Sequence, residues 1–134
     1  MRFLVVEDDF TSRLMLQRIL KPYAQCDVAV NGEEAVQAFK LAHAEGNPYD
    51  LLLMDIMMPI KDGQEALLEI REHERTLGLS PKDEARVIML SALGDPKNVV
   101  DAYYKGGASS YLVKPIDKSL LLEVIRNTGL SIAT

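Results

Sequence analysis

Five short apolar runs punctuate the chain: FLVV (3–6), DVAV (27–30), LLLM (51–54), VIML (87–90) and SYLV (110–113). Each has strand length, and most lack the polar alternation of a sheet with one wet face. Uninterrupted apolar strands are expected where both faces are covered, as in parallel sheets. Between the runs the spacing changes. Leu16, Ile19, Leu20 and Tyr23 fall at i, i+3, i+4 and i+7, as do Ala35, Ala38, Phe39 and Ala42, and Leu121, Val124, Ile125 and Thr128. That is the stripe of an amphipathic helix. Helix starts are marked as well: Asn31 with Glu34 and Asp62 with Glu65 have capping-box spacing, and Asp95-Pro96 sets a cap before a proline at the first helical position. Five strands alternating with five helices predict an α/β fold, a doubly wound five-stranded parallel sheet of the flavodoxin-like type. The polar stretch RTLGLSPKDEA (75–85) reads as a solvated connection between the third helix and the fourth strand.

Size and charge narrow this picture. A chain of 134 residues suits one domain, residues 1–134, with its own core. Hydrophobic residues at 48% and charged residues at 26% place it among globular proteins rather than disordered ones. A net charge of -5 argues against direct nucleic-acid binding, which needs clustered Lys and Arg. One cysteine, Cys26, allows neither an internal disulfide nor a zinc-finger site, and a reducing compartment fits. It is expected just before the second strand as a small buried apolar residue. The N-terminal MRFLVVEDD has four apolar residues before three acids, far short of the roughly 20 that span a bilayer. A cytoplasmic protein without membrane attachment is expected.

The chemistry gathers directly after the strands. Glu7 and Asp8, with Asp9, follow the first; Asp55 ends the third; Ser91 ends the fourth; Lys114-Pro115 ends the fifth. In a doubly wound sheet these positions converge on one edge, where ligands bind. A lone aspartate after a strand is commonly a helix cap or turn residue, and Asp9 is expected to cap the first helix. The conjunction of residue types at four strand ends carries the signal. Packed carboxylates repel and call for a cation. Their oxygens, with no His or Cys among them, favour Mg2+, with Mn2+ as a possible substitute. Lys114 adds a second positive charge, so the edge becomes an anion site in which Asp55 is the candidate nucleophile toward a phosphoryl group.

At these residues the chain resembles the receiver domain of two-component response regulators, of the single-domain chemotaxis-regulator type. The segments FLVVEDD, LLLMDIMMPIKDG, VIMLSA and GGASSYLVKPI carry the resemblance, in order and over essentially the whole length. It implies that Asp55 accepts a phosphoryl group from a phosphohistidine on a histidine kinase or phosphotransfer protein. It implies Mg2+ held by Glu7, Asp8, Asp55 and the Met57 carbonyl. The phosphoryl oxygens would meet the backbone N–H groups of Met57 and Ala92, the Ser91 hydroxyl and Lys114. Ser91 and Tyr111 would form the switch, the ring moving inward as the hydroxyl turns to the phosphoryl group. The output surface would be the fourth predicted helix, the fifth strand and the fifth helix, offered to a downstream target protein by a monomer or a phosphorylation-dependent dimer. Tyr103 and Tyr104 lie near that surface, and at least one is expected to pack.

Where many members carry a polar residue this chain has Met57, expected with Leu93 to screen the acyl phosphate from water. The chain ends about one turn past the last predicted helix, so no output domain is expected within it, whether it is a stand-alone receiver or an excised fragment. Two alternatives are a phosphorylation-silent receiver-like module and a Mg2+-dependent hydrolase using an aspartyl phosphate. The first should have lost Asp55, the acidic pair or Lys114. The second generally wants an acid where Met57 stands, so no turnover enzyme is expected. His43 and His73 are expected at the ordinary surface of helices, and Met54, Met57, Met58 and Met89 as core or site wall.

Overall fold

A computed structural model of the chain describes residues 1–92 and 107–132. The described elements are β1 (Arg2–Val6), α1 (Phe10–Leu20), β2 (Gln25–Ala29), α2 (Gly32–Ala44), β3 (Leu51–Asp55), α3 (Gly63–Thr76), a 3-10 turn (Pro81–Asp83), β4 (Arg86–Ser91), β5 (Ser110–Val113) and α4 (Lys118–Asn127). All neighbouring strands are parallel, in the order β2-β1-β3-β4-β5, the flavodoxin-like arrangement. The predicted helix between β4 and β5, with Leu93, Asp95-Pro96, Tyr103 and Tyr104, lies outside the described residues.

The unbroken apolar strands now have their reason. Side chains alternate faces along a strand, and both faces are covered. Leu4 and Val6 of β1, with Leu52 and Met54 of β3, pack under α2 and α3 against Phe39 and Ile70. Phe3 and Val5, with Leu51 and Leu53, pack under α1 and α4 against Leu20 and Ile125. β3 is buried at all five positions, so even Asp55 is drawn into the interior at its end.

The helix-start signals at Asn31 and Asp62 hold, and Asp9 caps α1 as expected. Asp9 accepts from Ser12 N–H at 2.8 Å, Asn31 from Glu34 N–H at 2.9 Å, and Asp62 from Glu65 N–H at 2.9 Å. Asp117 caps α4 in the same way, accepting from Leu120 N–H at 2.8 Å. β1, β3 and β4 are each one or two residues longer than their apolar runs, and two boundaries differ further from expectation. β2 begins at Gln25 rather than 27, because the register is set by backbone pairing of Gln25 with Arg2 and by Gln25 N–H donating to the Met1 carbonyl at 3.0 Å. Cys26 therefore lies inside an edge strand and is half-buried. The 75–85 connection is shorter than expected, since α3 runs through Thr76 and the 3-10 turn fills part of the remainder.

Polar groups staple the sheet edge remote from the strand ends. Tyr49 Oη donates to Asp27 Oδ2 at 2.7 Å, the same oxygen that accepts Arg2 Nη2 at 2.9 Å, and the Arg2 guanidinium lies 4.4 Å from the Tyr49 ring centroid. Burial, with the Asp27 hydrogen bond and charge, pushes the Tyr49 phenol up to about 12. A raised folded value means that the phenol's contribution is complete below the ordinary tyrosine range near 10 and is lost as pH rises toward about 12. In an alkaline titration followed by phenolate absorbance, one of the five tyrosines is expected to ionise late, and Tyr49→Phe to remove that late step. Ionisation of every tyrosine near pH 10 in folded protein would show that Asp27 does not hold the proton.

A second staple is buried. Arg71 Nη1 donates to Glu74 Oε1 at 2.7 Å and to the Ala85 carbonyl at 2.8 Å, while Nε and Nη2 donate to the Gly107 carbonyl at 3.0 and 2.8 Å. Glu74, with no accessible surface, accepts the Ala85 N–H through its other oxygen at 2.7 Å.

Candidate functional site

Backbone ladders deliver the four strand ends to one place. Glu7 N–H donates to Ala29 O, Ile56 N–H to Leu90 O, and Lys114 N–H to Ser91 O, at 3.0, 3.0 and 2.8 Å. Each bond carries the parallel pairing just beyond its strand, so Glu7, Asp55, Ser91 and Lys114 are fixed by the sheet rather than by loops. The Lys114-Pro115 peptide bond is cis. Gly63 lets α3 start against the end of β3: a Cβ there would stand 2.4 Å from the Asp55 carbonyl oxygen.

Carboxylate oxygens of Glu7, Asp8 and Asp55 lie within 4.8 Å of one another. Lys114 Nζ donates to Glu7 Oε1 at 2.8 Å and stands 3.4 Å from Asp55 Oδ2. Glu7 has no accessible surface, Asp55 and Ser91 are buried, and Asp8 is exposed at the rim. Burial, reinforced by the Asp55 charge and only partly offset by Lys114, pushes Glu7 up to about 7. Burial likewise raises Asp55, against the pull of Lys114. Burial disfavours the Lys114 ammonium, but its hydrogen bond to Glu7 and the Asp55 charge outweigh this and raise it.

Three carboxylates with one ammonium leave an excess of negative charge, and the buried Glu7 Oε2 has no hydrogen-bond partner among the described residues. An orphaned buried oxygen amid a set of oxygen donors fits a hard divalent cation.

The remaining predicted residues surround this centre. Met57 is 64% exposed at the mouth, Ala92 is exposed directly after β4, and Tyr111 on β5 is 36% exposed. Asp9 stays out of the cluster and serves as a cap. Met54 and Met89 are core. His43 and His73 depart from expectation: both are half-buried and lie on the far side of the domain, where helices α2 and α3 end.

Several contributors escaped the sequence reading. Arg13 Nη1 donates to the Glu7 carbonyl at 2.9 Å. Lys61 bridges Glu33 of α2, at 2.9 Å, and Glu69 of α3, holding the loop that follows Asp55. The pairing of Lys61 with Glu69 spans eight residues across a loop, beyond the three- or four-residue spacing that marks helical ion pairs. In the same loop Ile60 has a φ of 70° with 82% of its surface exposed. A β-branched residue there is strained, and little burial compensates. Ile60→Gly is expected to stabilise the chain by about 0.5–1 kcal/mol, read as a higher urea midpoint; an unchanged or lower midpoint would mean that the isoleucine makes contacts worth more than the strain.

A doubly wound parallel sheet with an acidic, lysine-bearing pocket at its carboxyl edge defines a class of phosphoryl- or cation-handling α/β domains. Residues 3–126 match the response regulator receiver domain, and the chain belongs to that family. It is 37% identical over 129 residues to the chemotaxis protein CheY of Bacillus subtilis, covering 95% of this chain and 96% of that protein. Among solved structures it is similar to a chain of the CheX-CheY-BeF3-Mg2+ complex from Borrelia burgdorferi, with a TM-score of 0.80, 31% identity, and coverage of 97% of this chain and 90% of that one. A chain in the complex of the Saccharomyces cerevisiae phosphotransfer protein Ypd1 with the receiver domain of Ssk1 aligns with a TM-score of 0.82 and 26% identity, covering 96% of this chain and 88% of that one. Among the described residues no helix is long and apolar enough to cross a membrane.

Proposed function

We propose that the chain is a phosphorelay switch whose Asp55 takes a phosphoryl group from a phosphohistidine on a kinase or phosphotransfer protein. The observation that carries this reading is Asp55 at the end of a fully buried strand, with Glu7 and Asp8 oxygens within 4.8 Å and the Lys114 ammonium at 3.4 Å. In the transfer a carboxylate oxygen of Asp55 forms the new P–O bond as the P–N bond to the donor imidazole breaks, and the leaving nitrogen takes a proton. Lys114 would neutralise charge on the phosphoryl oxygens, and Ser91 and the backbone N–H groups of Met57 and Ala92 would donate to them. Glu7, Asp8, Asp55 and the Met57 carbonyl would hold Mg2+, which supplies further neutralisation of the phosphoryl oxygens when bound.

The added acceptor oxygens draw the Ser91 hydroxyl, the chain after β4 follows, and Tyr111 moves inward. That changes the surface around β5 and α4, where a downstream protein binds. Intact mass after incubation with Mg2+ and a small-molecule phosphodonor tests the reading. One added phosphoryl group is expected, absent when Mg2+ is chelated. A chain that binds Mg2+ yet takes no phosphoryl group from either a small donor or a phosphorylated histidine protein would instead be a silent interaction module.

A further inference from the structure

The ends of α2 and α3 bring two imidazoles together on the side of the domain opposite Asp55. His43 lies in the last turn of α2 and His73 in the last turn of α3. Their ring centroids are 6.2 Å apart, and both pack on Phe39, at 4.9 and 6.2 Å. Both line one cavity of about 380 Å³, shared with Lys40, Ala44, Leu77 and Leu79. Among the described residues neither imidazole makes a hydrogen bond or an ion pair, although both rings are half-buried. Two ring systems on separate helices, held by packing and facing one hollow, leave nitrogen donors with no stated use.

We infer that His43 and His73 form a two-histidine site for a first-row transition dication such as Zn2+, Ni2+ or Cu2+. Imidazole is a ligand for these ions rather than for Mg2+. With metal–nitrogen bonds of about 2.0–2.1 Å, two imidazoles on one ion have centroids roughly 5–6 Å apart, so the observed spacing needs only side-chain rotation. The last turns of two helices supply a second favourable term, because helix C-termini carry partial negative charge that attracts cations. Water fills the remaining coordination positions from the open cavity. Lys40 is exposed and free to swing away from the ion. The bound ion clamps α2 to α3 without touching the strand-end pocket, and the site stands independently of the phosphoryl chemistry.

Calorimetric titration of the tag-free chain with ZnCl2 and NiCl2, in excess Mg2+ to keep the acidic pocket occupied, tests this. One ion per chain is expected. His43→Ala and His73→Ala should each weaken binding at least about tenfold. The double variant should be little worse than either single one, because a chelate is lost with its first arm. Cys26→Ser should leave the affinity unchanged, and Zn2+ should raise the melting temperature of the parent but not of the double variant. His43→Asn, checked by circular dichroism, guards against a packing loss beside Phe39. Undiminished affinity in the double variant, or binding that vanishes with Cys26→Ser, overturns the assignment.

Discussion

Asp55→Asn is expected to abolish phosphoryl gain completely and, without Mg2+, to raise the melting temperature. The first half follows from chemistry: an amide has no anionic oxygen to attack phosphorus, and the other buried strand-end carboxylate beside the same ammonium, Glu7, already accepts the Lys114 hydrogen bond at 2.8 Å while Asp55 stands 3.4 Å from it. The second half follows from electrostatics. Burial raises the Asp55 carboxyl above its ordinary range, with Asp8 adding repulsion. An acid raised on folding stabilises below its unfolded value, and that contribution is lost as pH climbs through the folded value. At neutral pH the ionised form is therefore a cost that asparagine removes, while Lys114 keeps its bond to Glu7 at 2.8 Å. A rise of about 2–6 °C is expected. Mg2+ should stabilise the parent more than the variant. Intact mass and thermal melts in EDTA and in Mg2+ measure both halves. Residual phosphorylation would move the acceptor elsewhere, and a marked fall in melting temperature would make Asp55 a structural partner of Lys114.

That trade explains what could be read from the chain alone. Binary pattern disclosed β3 because LLLM is buried on both faces, and the acid that ends it stood out against that background. Cap signals disclosed the starts of α1, α2 and α3 because the side-chain oxygen and its backbone partner are three residues apart. β2 was misplaced because its register is set by pairing with Arg2 rather than by its own apolar residues. Its Gln25 and Val28 are exposed, as befits an edge. Lys61, Arg13 and the Arg71–Glu74 pair were invisible for another reason. A charged residue in a loop or helix reads as solvated until folding brings its partner, and only the pair that meets Gly107 and Ala85 shows why Glu74 is buried. The histidines failed in the same way, since their neighbour is on another helix.

Glu74→Ala is expected to be the most destabilising single change outside the strand-end pocket, costing about 3–5 kcal/mol by leaving the Arg71 charge buried without its counter-ion. Arg71 is 8% exposed and Glu74 has no accessible surface, so water reaches neither freely. In many buried pairs, replacing both partners with apolar residues is nearly neutral. Here it is not expected to be, because the pair also serves the backbone. The Ala85 N–H and carbonyl at the entry to β4, and the Gly107 carbonyl before β5, would all lose partners. An Arg71→Met/Glu74→Leu double variant should therefore remain about 2–3 kcal/mol below the parent, yet cost less than the two single changes added together. Urea unfolding of the four proteins measures the cycle. A double variant as stable as the parent would show that the backbone groups find other partners. Strict additivity would show that Arg71 and Glu74 act separately, the one on Gly107 and the other on Ala85.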